Sequence, residues 1–118
     1  MRDQHYKNVP KTVRIGCYQF RVEVHEFEDA EADGAFGHMN PINQKIRLRP
    51  GMTPQNLANT FIHEVLHGIH WWHCCGESPD DPEEEYTTKG ANGLCAFWQD
   101  NPNAVAWWQS LLTFKEKQ

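Results

Sequence analysis

Residues 61–70 read FIHEVLHGIH, and this stretch carries the residue types in the chain best spaced for chemistry. His63 and His67 are four positions apart. On a helix two such imidazoles share a face and can hold one metal ion, while the glutamate between them reaches a metal-bound water. His63 and His67 are therefore the expected ligands, and Glu64 the expected general base. His70 lies seven residues beyond His63, about 10 Å along a straight helix, too far for both to bind one ion. It is expected to support a ligand or touch a bound molecule.

A site of this kind needs elements to hold it. MTPQNL opens the helix, with Thr53 as N-cap and Pro54 at the first helical position, where its missing N–H costs nothing. The helix is expected to run to about Trp72. At about 100° per residue, Ala58, Ile62, Val65, Ile69 and Trp72 form one stripe, with Phe61 and Leu66 at its edges. That stripe is expected to pack on a sheet, with the histidines on the opposite side. Upstream, TVRIGCYQFRVEVH alternates as extended chain, and its phase changes between Gly16 and Gln19, which calls for a turn or bulge. Lys45–Arg49 alternates as a further strand, expected at the sheet edge where a peptide can pair with it as an added strand. Its cations equally suit an edge that merely resists aggregation. Between them EFEDAEADGAFGHMNPINQ has the composition of a loop, with room for one hidden strand. A second helix starts near Glu83 with an acidic first turn. Asn101-Pro102 breaks it, and a short amphipathic helix follows.

On the second helix Tyr86, Gly90, Ala91, Leu94, Phe97 and Trp98 make a broad apolar side, with Glu83 inside it and Glu84 at its edge. A carboxylate at the start of a buried helical face is costly unless it is paired or bound to a metal. Glu84 or Glu83 is accordingly the expected third ligand, with water in the fourth position. Glycines at 90 and 93 allow the two helices to approach closely.

Three segments, KIRLRPGMTPQNLANTF, HEVLHGIH and EEEYTTKGANGLCAFWQDNP, together resemble the zincin-like metallopeptidases. The resemblance covers about residues 42–102 and is closest to the minimal forms of phage and prophage type, distantly similar to the ImmA/IrrE and SprT-like groups. It implies an α+β fold of minimal zincin type: a small, mostly antiparallel sheet packed on the HExxH helix, with a second helix giving the third zinc ligand. It also implies one Zn²⁺ per chain, held by His63, His67 and best by Glu84, with Glu83 as the alternative. Peptide bonds would then be cleaved by water activated on zinc and deprotonated by Glu64. No third histidine follows at metzincin spacing, since residue 70 is His and residue 74 is Cys. The oxyanion donor is not selected by spacing; His38 and His70 are both open. The alternative is a zinc-stabilised, phage-associated scaffold or interaction protein with little or no proteolysis. Five tryptophans (Trp71, Trp72, Trp98, Trp107, Trp108) suit such a role if some form an exposed patch, and core packing otherwise.

The bulk properties frame these expectations. At 118 residues the chain is expected to be one domain, 1–118, with 1–11 a flexible arm and 115–118 a flexible tail. Net charge is −5 and no basic run is long enough to follow a phosphate backbone, so the partners expected are a peptide or protein, not nucleic acid. No apolar run spans a bilayer, and the N-terminal residues lack a secretory h-region. The four cysteines form no CxxC, which fits reduced thiols in a cytoplasm, that of the host if the chain is phage-encoded.

Overall fold

The structure, a computed structural model, describes residues 4–27, 36–74 and 82–114, with backbone alone for 73–74 and 82–88. Strand β1 (Thr12–Ile15) turns directly into β2 (Tyr18–Val24), and β3 (Gly37–Asn40) turns into β4 (Lys45–Leu48). Helices α1 (Pro54–Cys74), α2 (Pro82–Asp100) and α3 (Pro102–Leu112) follow. The phase change near Gly16 is a hairpin turn. Ile15 pairs with Tyr18, leaving Gly16 and Cys17 as its two central residues. Gly16 has φ +62°, which a turn with glycine at the first central position requires. A side chain there would also strike the Trp72 indole, 2.3 Å from the position of a Cβ.

The sheet order is β1-β2-β4-β3. β1–β2 and β3–β4 are antiparallel, whereas β2 and β4 run parallel. The sheet is thus mixed, with two of its three pairings antiparallel and one parallel. It also places β4 inside the sheet, between β2 and β3, so Lys45–Arg49 is not the edge strand. That position belongs to β3, the strand hidden in the acidic and glycine-rich stretch. Four residues reading GHMN have little strand propensity of their own. Their conformation comes from the β4 ladder and from the Asn40 side chain, whose Oδ1 accepts from the N–H groups of Ile42 and Asn43 and braces the turn.

One face of the sheet carries Val13, Ile15, Phe20, Val22, Ile46 and Leu48, all buried. Against it lie Leu57, Ala58, Phe61, Val65 and Ile69 of α1. The buried face of α1 is therefore rotated from the predicted stripe. Ile62 and Leu66 are half-buried, while Thr60, Glu64 and Gly68 are buried. Phe61 meets Trp107 edge-on at 5.3 Å and Phe97 at 6.3 Å, which ties α3 and α2 to the same core. Gly93 is the helix contact: a Cβ there would sit 2.4 Å from Ile69 Cγ2, whereas one at Gly90 meets nothing within 4 Å.

The arm expected over residues 1–11 is docked from Gln4 onward. His5 is 6% exposed and its Nε2 lies 2.7 Å from the Met52 carbonyl oxygen. The Trp107 indole donates to the His5 carbonyl, and the Tyr6 hydroxyl donates to the Arg49 carbonyl while accepting from Met52 N–H. The expected tail, 115–118, lies outside the described residues.

Candidate functional site

His63 and His67 stand on the exposed side of α1, with their Nε2 atoms 3.1 Å apart and ring planes at 75°. The i, i+4 spacing thus brings the two imidazoles together as expected. Between them in sequence, Glu64 turns the other way. It is 6% exposed and lies beneath β3, where a Cβ on Gly37 would come within 3.3 Å of its Cγ. Burial raises its pKa above the ordinary carboxylate value, against the opposing pull of His63. The His67 imidazole is shifted down, first by burial and then by the nearby His63, His70 and His38. His38 belongs to β3, and its Nδ1 is 3.0 Å from Arg47 Nη2 on the neighbouring strand. Arginine can only donate, so this contact assigns Nδ1 as acceptor and leaves the N–H on Nε2.

A catalytic zinc site needs three protein ligands around an open fourth position. Among the described residues no group of three or more His, Cys, Asp or Glu side chains is placed to hold a metal ion. His63 and His67 make a pair, and Glu64 points under the sheet edge instead of completing a set. Glu84 and Glu83, the expected third ligands, fall in the first turn of α2, and their side chains lie outside the described residues. The described side chains do not fit the group. This overturns the expected zinc cofactor and the zinc-metallopeptidase activity. The resemblance to the minimal zincin-like peptidases falls with it, as does the phage-type provenance it alone suggested. What stands is an α+β domain with a four-stranded mixed sheet and three helices.

The two sheet edges differ. At β1, the Asn101 carboxamide acts like a strand: Oδ1 accepts from Arg14 N–H at 2.8 Å and Nδ2 donates to the Arg14 carbonyl at 2.9 Å. At β3, Arg49 N–H donates to the Phe36 carbonyl, which sets Phe36–Arg49, His38–Arg47 and Asn40–Lys45 as the hydrogen-bonded pairs. In an antiparallel ladder the intervening residues turn their polar groups outward. Gly37 and Met39 therefore present N–H and C=O away from β4, and no described strand pairs with them.

Sequence reasoning missed Gly37 and Met39 and could not choose His38. The available signal was the turn-forming NPIN between GHM and KIRL, which marks a hairpin. The tryptophans do not form the exposed patch considered above. Trp107 is buried, Trp71, Trp72 and Trp108 are half-buried, and Trp98, at 42% exposure, rests 6.4 Å from Trp108. Among the described residues no helix is long and apolar enough to cross a membrane. Comparisons with protein-family models, curated proteins and solved structures each give no match.

Proposed function

We propose that this chain is an interaction domain that takes an extended segment of a peptide or protein along β3, without hydrolysing it. The observation that carries this reading is the β3 edge at the half-buried Met39, whose N–H and C=O face away from β4 beside the buried Gly37, opposite an edge that Asn101 closes. Unpaired strand edges are a liability that folded proteins normally cover. An added strand satisfies such an edge through main-chain hydrogen bonds. His63, Glu64 and His67 flank it from α1 and supply polar contacts to the bound segment, with His38 and His70 beside them. Glu64, under Gly37, is the member whose burial favours the protonated form, able to donate a hydrogen bond to a carbonyl. The described cysteines, Cys17 and Cys95, are free thiols, which supports a reducing compartment such as the cytoplasm.

The test is selection of binders from a displayed library of random linear peptides, followed by titration into isotopically labelled protein. The expected result is that selected peptides stay intact and shift the Gly37 and Met39 amide resonances. Met39→Pro should abolish binding and leave the fold in place, because its N–H makes no ladder bond and proline is tolerated on edge strands. Peptides that map elsewhere, a library that yields no binder, or cleavage of the bound peptide would each overturn the reading.

A further inference from the structure

The outward face of the sheet, opposite the core, is built differently from the rest of this acidic chain. Alternation puts Arg14 of β1, Arg21 and Glu23 of β2, and Lys45 and Arg47 of β4 on that face, since their neighbours Val13, Ile15, Phe20, Val22, Ile46 and Leu48 fill the core. Arg21 is the direct cross-strand partner of Lys45, and Thr12 and Asn40 complete the row on either side. Arg14 lies diagonally from Arg21, two residues beyond its partner Thr12.

Like charges directly opposite one another on a sheet are unfavourable. Glu23 is the only carboxylate among these outward strand positions, and its position is overcommitted. It lies 3.2 Å from His25 and 3.9 Å from Lys45, and its pKa is lowered by the His25 hydrogen bond, then by Lys45 and Arg21. The Arg14 and Arg21 guanidinium groups are exposed and have no ion-pair partner among the described residues. Arg47 and Arg49 are held more firmly, both over the Phe27 ring at 4.8 and 4.2 Å, with Arg49 also on Glu26. The result is a sheet face with a surplus of positive charge on a chain of net charge −5.

We propose that this face, centred on Arg14, Arg21 and Lys45, docks an acidic segment of a partner protein. Carboxylates spaced along an extended segment match cations spaced across a sheet, and arginine binds carboxylate with two parallel hydrogen bonds. A nucleic acid is the poorer fit. The three cations form no long groove, the net charge of the whole chain is repulsive, and Phe27, beneath two guanidinium groups, offers no face for a base to stack on. This surface adjoins the β3 edge at Asn40, but its cations come from β1, β2 and β4, and the proposal does not depend on what that edge binds.

The probe is a fluorescently labelled oligo-glutamate peptide followed by anisotropy on the full chain, at low and at high salt. The expected result is binding that weakens as salt rises and that falls about tenfold in the doubly reversed Arg21→Glu, Lys45→Glu variant. Neutral Arg21→Gln, Lys45→Gln should give an intermediate loss and guards against a reversal that fails to fold. Lys7→Glu, at an exposed cation outside the strands, should leave the affinity unchanged. No salt-dependent binding, binding indifferent to the Arg21 and Lys45 changes, or tighter binding of single-stranded DNA than of the peptide would overturn the proposal.

Discussion

Glu64 shows how far one side chain can depart from the role its neighbours in sequence suggest. HEVLH places it between two histidines, yet its carboxyl lies beneath Gly37 and is nearly covered. With its native pKa raised by burial, the folded state keeps the proton over a range where the unfolded chain has lost it. Stability therefore falls as pH rises from the ordinary carboxylate value through the raised native one. Glu64→Gln lacks this slope. It is expected to match the parent protein in acid and to exceed it at neutral pH, as urea denaturation across pH would show. His67 acts in the opposite direction. Its native pKa is lowered, so the native state is disfavoured as pH falls from the ordinary imidazole value through the native one.

At the scale of elements, close approach decides the helix positions. Gly93 and Gly90 look alike in sequence, but among the described residues only Gly93 meets another helix, against Ile69. Gly93→Ala is expected to destabilise by about 2 kcal/mol, because the Ile69 side chain must shift within a packed core. Gly90→Ala should instead stabilise by about 0.5–1 kcal/mol through helix propensity. Thermal melts of the two variants should move in opposite directions. The strands divide the same way. β1, β2 and β4 were legible because alternating Val, Ile, Phe and Leu mark one buried face. β3 was not, because GHMN has no such pattern and is a strand only where β4 pairs with it. Its location decides the candidate site, since it gives the sheet its open edge and brings His38 toward the α1 histidines.

At the scale of the whole molecule, the N-terminal residues close the structure. The Tyr6 hydroxyl joins the Arg49 carbonyl after β4 to the Met52 N–H before α1, and His5 and Trp107 connect the same segment to α3. Tyr6→Phe removes both hydroxyl bonds and leaves a part-buried N–H and carbonyl without that partner. A loss of about 1–2 kcal/mol is expected in denaturant unfolding, with the slope against denaturant unchanged. Local periodicity gives no sign of this docking, because the contacts span more than 40 residues of sequence.

By itself the sequence determined what depends on near neighbours: the helical spacing that brings His63 to His67, the Thr53-Pro54 start, the turn at Gly16, and the alternating faces of three strands. Backbone geometry fixes such relations within a few residues. The tertiary structure decided which strand holds the edge, that Glu64 turns beneath it, and that the described side chains give the histidine pair no third ligand for zinc. Those outcomes depend on long-range pairing and packing, in which a side chain's surroundings come from elements distant in sequence.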